Sequence, residues 1–194
     1  YDIGVTGILP GENAEVLQAD VTLEADMNYD VFAVGNVSDE TLALLTVTSM
    51  ETAVEAGNAQ VQIVHAASMA PTVDIYVTAP DTDITAEQPL VTAEFTDSTD
   101  LIQVPAGDYQ IRITPAGETT VVYDSGTVNL ADGADLLIAA TNNVGTGESP
   151  VTLLAADGDG SFKIWDKEAG AAIRVVHGIS DAPAVDVIAN NEID

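Results

Sequence analysis

The chain has 194 residues, with 32 acidic and 4 basic side chains, a formal net charge of −28 and no cysteine. Four cations cannot build the basic face that nucleic acid requires, and without cysteine there is no disulfide frame, thiolate metal site or thiol nucleophile. The apolar runs are too short to span a bilayer, yet 46% apolar residues is too many for a chain that stays unfolded.

The apolar residues are mostly Val, Ile, Leu and Ala, and only 5% of the chain is aromatic, which suits pleated, half-buried strands. The acids are spread along the chain instead of collected in a tail, which reads as a solvated anionic surface suited to high salt. The expected setting is extracytoplasmic: secreted, periplasmic or cell-surface. Position 1 is Tyr1, not a start methionine, and the chain is read as a processed or trimmed product.

In chain order, the first recurring runs are 1–6 (YDIGVT), 21–23 (VTL) and 30–34 (DVFAV). These have counterparts at 109–114 (YQIRIT), 128–130 (VNL) and 135–139 (DLLIA). The run 61–65 (VQIVH) returns 112 residues later as 173–177 (IRVVH), and 68–75 (SMAPTVDI) returns as 180–187 (SDAPAVDV). This self-similarity divides the chain into an incomplete first unit (1–59), a whole unit (60–170) and the opening strands of a third (171–194). Short polar segments with glycine, 55–58 (EAGN) and 167–170 (KEAG), mark the joins.

Within the whole unit the pattern has period two. Val61, Ile63 and His65 share a face opposite Gln62. Val73, Ile75 and Val77 oppose Asp74 and Tyr76, and Tyr109, Ile111 and Ile113 oppose Gln110 and Arg112. Further strands are expected at 101–104, 120–123, 127–130, 136–141 and 151–155, separated by Gly, Pro, Asn and Asp, with at most a turn of helix at 81–87. Seven to nine short strands in roughly 110 residues predict a β-sandwich.

The run VHAxSxAPxVD, at 64–74 with an echo at 176–186, resembles the signature of a bacterial domain-of-unknown-function family numbered 4397. The segments 104–109 (VPAGDY) and 29–35 (YDVFAVG) are similar to that family's pattern as well. Met69 and Gly178 depart from its commonest form, which has Asp and Ala there. The resemblance implies an all-β chain of tandem immunoglobulin-like β-sandwich domains in a secreted or surface-attached protein. It implies no reaction.

His65, Ser68 and Asp74, echoed by His177, Ser180 and Asp186, are the residue types of a nucleophilic triad. If 61–65 and 73–77 form a simple hairpin, Asp74 lies opposite Val64 and points away from His65, which a triad does not allow. No GxSxG elbow is present. The alternative is structural: the histidine anchors a strand end, the serine helps the turn and Pro71 fixes φ. Asp157, Asp159 and Ser161 (157–161, DGDGS) form part of a calcium-loop pattern but lack its terminal bidentate Glu, so a solvated turn competes with a metal site. Trp165 and Tyr123 are candidates for a sugar-stacking platform, and Asn36 opens a glycosylation triplet with Ser38.

These features predict a non-catalytic structural or interaction module with no required cofactor. Calcium or carbohydrate binding is the alternative, and a hydrolase is the weakest reading. The expected partner is another surface protein or the chain itself. In the latter case 171–194, with Ile173, Val175 and His177 on one face, completes a sandwich with 1–59 of a neighbour in a head-to-tail ring or filament.

Overall fold

The computed structural model describes residues 2–9, 12–36, 40–145 and 147–170. These residues form strands and one short 3-10 turn, an all-β architecture. Four strands come first: β1 (Asp2–Leu9), β2 (Glu12–Asp20), β3 (Met27–Val34) and β4 (Ala43–Met50). They form two separate antiparallel hairpins, β1–β2 and β3–β4. Nine more follow: β5 (Asn58–His65), β6 (Val73–Thr78), β7 (Val91–Ala93), β8 (Ile102–Pro105), β9 (Gly107–Pro115), β10 (Tyr123–Leu130), β11 (Asp135–Asn142), β12 (Val151–Ala156) and β13 (Ser161–Ile164).

These nine strands make two sheets, one in the order β10-β9-β6-β7 and the other in the order β13-β12-β11-β5-β8. All pairings are antiparallel except β11 with β5, which is parallel, with Leu136 opposite Val61 and Ile138 opposite Ile63. The alternating apolar residues of both sheets meet in one core. Val61, Ile63, Ile138 and Leu153 face Ile75, Ile111, Ile113 and Leu130. Burying branched side chains of this kind contributes roughly 1.5–3 kcal/mol each, and this is what holds the two sheets together.

Three local expectations are corrected. First, 61–65 and 73–77 are not a hairpin: β5 and β6 lie in different sheets, and 66–72 crosses between them. The crossing lets both strands bury an apolar face in the same core. Second, 120–122 is not strand; β10 begins at Tyr123 and absorbs the two expected runs into one, broken by a bulge between Asp124 and Thr127. Gly126 takes φ +60 there, and its N–H donates to Asp124 Oδ1, so the extra residue is both conformationally permitted and hydrogen-bonded. Third, β2, β4, β7 and β13 are strands that the sequence reading did not announce; β7 and β13, at three and four residues, are too short to show a period. The helical turn expected within 81–87 is present as Ile84–Ala86, capped by the Asp83 carboxylate on the Thr85 N–H.

The β3–β4 hairpin adds a third layer. Val34 and Val47, with Phe32 and Leu45, pack on Val64, Ala66 and Ala139, residues that point out of the core from β5 and β11. The connection from β4 to β5 is pinned by a glutamine network. Gln103 Nε2 donates to the Ala53 carbonyl and to Gln60 Oε1, and its Oε1 accepts the Glu55 N–H. Gln60 Nε2 donates to Asp135 Oδ2, and the Gly57 N–H donates to Asp132 Oδ1.

The two hairpin pairs follow the same plan. β1–β2 and β3–β4 occur in the order of β9–β10 and β11–β12, and each pair divides between two sheets. The turns leading into β3 and β11 each hold one residue at positive φ, Asp26 (62) and Gly133 (78). Residues 171–194, expected to open a further unit, lie outside the described residues.

Ile113 is 1% exposed at the centre of the core. Ile113→Ala is expected to cost about 2–5 kcal/mol and Ile113→Val about 0.5–1.5 kcal/mol. Urea denaturation checks both, and a loss below ~1 kcal/mol for the alanine variant would mean that the sheets do not close on this residue.

Candidate functional site

His65 ends β5 and is fully buried. The Ala67 N–H donates to its Nδ1 at 3.3 Å, which makes Nδ1 the unprotonated nitrogen, so the Nε2–H donates to the Pro71 carbonyl at 3.1 Å. Phe95 stands edge-on to the ring, centroids 6.4 Å apart. Both ring nitrogens are therefore spent holding the ends of the 66–72 crossing together. Ser68 Oγ accepts from Asn142 Nδ2, and the Asn142 amide oxygen accepts the Met69 N–H. Asp74, on β6, accepts the Thr92 hydroxyl at Oδ1 and the Gly117 N–H at Oδ2. The three residues are thus engaged separately, each tying a loop to a sheet. Asn142, a clamp for this turn, was not singled out in the sequence, where it read only as loop punctuation.

Asp157, Asp159 and Ser161 lie at the β12–β13 turn, and all three are exposed. Asp157 Oδ1 accepts the N–H groups of Asp159 and Gly160, at 3.1 and 2.9 Å, and Gly158 takes φ +83. The described residues bring no three metal-ligating side chains together in a cation-binding arrangement. Asp157 does line a cavity of about 340 Å³ between the β3–β4 hairpin and the five-stranded sheet, shared with Asn28, Asp30, Gln62 and Asp135. Burial, and secondarily the Asp135 charge, push the Asp30 carboxyl above its ordinary value. Asp30 and Asp135 open matching runs in the sequence, but only the docking of the hairpin onto β11 makes them neighbours.

On the outer face of the four-stranded sheet, Lys167 and Asp124 form the one ion pair among the described residues, at 2.7 Å. Burial works to raise the Asp124 carboxyl, but the Gln110 amide, the Lys167 ammonium and the Gly126 N–H outweigh it and hold Asp124 below its ordinary value. Its stabilising contribution is present above the unfolded value and is lost as pH falls through the folded one. Beside it, Arg112 donates to the Thr78 hydroxyl, while the Arg112 Nε and the Thr114 hydroxyl have no partner.

The sugar platform is not formed as expected. Tyr123 is fully buried in the core, where its hydroxyl donates to the Ile164 carbonyl at 2.7 Å. Burial, then Asp166 and Asp124, push that hydroxyl well above the ordinary phenol value. Trp165 is half exposed, with the Lys163 ammonium 5.0 Å from its ring centroid. Ser38, of the triplet that Asn36 opens, lies outside the described residues.

Residues 1–76 match the model of the family described as "Domain of unknown function (DUF4397)". That span takes in β1 to β5 and most of β6, and the match supports the family resemblance there. Compared with curated proteins and with solved structures, the chain matches none.

Two outcomes are expected from these contacts. His65→Ala loses a buried hydrogen-bonded ring and is expected to cost on the order of 1–3 kcal/mol, measured by denaturant titration. Because Asp30 is raised in the fold, its favourable contribution is fully present below its unfolded value and is lost as pH rises through the folded one. Asp30→Asn is therefore expected to raise the melting temperature at neutral pH, by about 1–3 °C for a partly exposed group, and to leave it unchanged at strongly acidic pH. A variant that melts lower at neutral pH would contradict the assigned repulsion.

Proposed function

We propose that this protein is a non-catalytic interaction module of a secreted or surface-attached assembly, built from tandem immunoglobulin-like sandwiches. The observation that carries the reading is the use of sheet faces for contact. The outer face of the five-stranded sheet is not left to solvent but receives the β3–β4 hairpin as a further layer. The matching order of the two hairpin pairs supports a tandem plan, in which sandwiches meet through their sheets. The polar residues with catalytic potential, His65, Ser68 and Asp74, each make hydrogen bonds that anchor a loop. No helix among the described residues is long and apolar enough to cross a membrane. The charge of −28 fits a protein that works in salt, where like charges on neighbouring modules are screened beyond about 8 Å.

Sedimentation velocity from micromolar to near-millimolar protein tests the role. The expected result is a mass that rises with concentration, and more steeply as NaCl is raised, since salt screens the repulsion between acidic copies. A monomer under all these conditions overturns self-association. In the same buffers the melting temperature is expected to rise with NaCl. A calcium shift larger than that of matched ionic strength, abolished in Asp157→Asn, would favour the calcium-binding alternative.

A further inference from the structure

We propose that residues 172–177 of a second copy of this chain add to the open edge of β3 as a parallel strand and deliver Arg174 to the acidic cavity beside Asp30. The proposal deepens the interaction role above and rests on it. It starts from an asymmetry between corresponding strands. β11 is paired on both sides, with β12 antiparallel and β5 parallel. β3 corresponds to β11 but, among the described residues, pairs only with β4. Its edge is a row of backbone donors and acceptors ready for another strand. The face that corresponds to the core side of β11 is also open: Val31 is 36% exposed, and Met50, opposite Met27 on β4, is 66% exposed.

The chain contains a second β5-like segment. The run 173–177 (IRVVH) repeats 61–65 (VQIVH), and the strand it would join repeats β11. The turns fix the register. The runs VTL (21–23) and VNL (128–130) and the positive-φ residues Asp26 and Gly133 share an offset of 107, which sets Val31 against Ile138 and Asp30 against Leu137. This offset differs by two residues from the letter match of 30–34 with 135–139. In the central sandwich Ile138 lies opposite Ile63, and Leu137 opposite Gln62. Transferred to β3, this places Val175 opposite Val31 and Arg174 opposite Asp30. Residues opposite one another in a ladder share a face, so Arg174 takes the position that Gln62 holds on β5.

Charge supports the same register. The cavity is lined by Asp30, Asp135 and Asp157 and by no cation among the described residues. The sequence has only 4 basic residues, and in the register proposed one of them, Arg174, would take the strand position that faces this cavity. A guanidinium there would pair with Asp30 and relieve its repulsion with Asp135.

The donor has to be another molecule. The Lys167 N–H donates to the Asp124 carbonyl on β10, an edge strand of the four-stranded sheet, and Ala169 lies beside Gly147. The added strand would start beside Asn28 and Asp30, which share the cavity with Asp135 at the N-terminal end of β11, whereas Gly147 lies in the connection past the C-terminal end of β11, a strand length of roughly 20 Å away. The two residues from Gly170 to Ala172 reach about 7 Å at most.

The absence of native cysteine makes cross-linking a clean report of register. Paired strands lie about 4.8 Å apart, within disulfide range. Full-length Val31→Cys and Val175→Cys proteins, mixed and oxidised, are expected to give a covalent dimer of two 20.0 kDa chains. Val31→Cys mixed with Ile173→Cys, two residues out of register, is expected to give far less. Arg174→Glu is expected to weaken self-association at least about tenfold, and Asp30→Arg combined with it to restore association. Absence of the Val31–Val175 link overturns the proposal. So does an intramolecular disulfide in the doubly substituted chain. If oligomers persist without the link, this register falls while self-association stands; if every variant and the parent are monomeric, both the register and self-association fall.

Discussion

The structure depends on one pair of parallel strands, β5 and β11, being covered on both faces. Parallel pairing exposes no hairpin edge and makes sense only when both sides are packed. On one side Val61, Ile63, Ile138 and Ala140 enter the sandwich core; on the other Val64, Ala66 and Ala139 lie under the β3–β4 hairpin. Every residue of β5 from Ala59 to His65 is consequently buried, including two glutamines. Those glutamines are tolerated because their amides are hydrogen-bonded, Gln62 to the Thr99 carbonyl and Gln60 within the network that ties down the β4–β5 connection. An unpaired amide at either position would cost about 1–3 kcal/mol and loosen the layer above it.

The same double coverage explains why polar residues in the crossing from β5 to β6 behave as structure. The chain must leave one sheet and enter the other within 66–72, and the backbone groups exposed by that reversal need partners. His65 supplies two, at Ala67 and Pro71, and Asn142 holds the Ser68–Met69 turn from β11. Asp74 does the same for the far side of β6, catching Gly117 in the β9–β10 connection. Histidine, serine and aspartate in one short run look like chemistry, but each is oriented by a different loop.

Charge is distributed with similar economy. Most acids among the described residues face water, where salt screens them. Lys167 is placed at the sheet edge to neutralise Asp124, and Lys163 lies over Trp165. Asp74 and Asp124 are buried but hydrogen-bonded, whereas at the layer boundary a partly buried Asp30 faces the exposed Asp135 with no cation beside it among the described residues. Like charges at a packed boundary oppose docking, so this is where a counter-ion from another chain would matter most.

The sequence by itself determined the strand class, most strand positions in 60–170 and the apolar face of each, because a half-buried strand writes its environment as a period of two. It also showed the repeated runs, and with them the relation of β3 to β11. It could not assign strands to sheets: 61–65 and 73–77 are adjacent in sequence with complementary patterns, and only packing of two sheets around one core separates them. Nor could it show that the polar side of β5 is also buried, since Gln62 reads as solvent-facing until a hairpin from another part of the chain lies across it. Asp30 and Asp135 were visible only as matching letters of a repeat. Their encounter arises from how two layers stack, a long-range contact that no local pattern encodes.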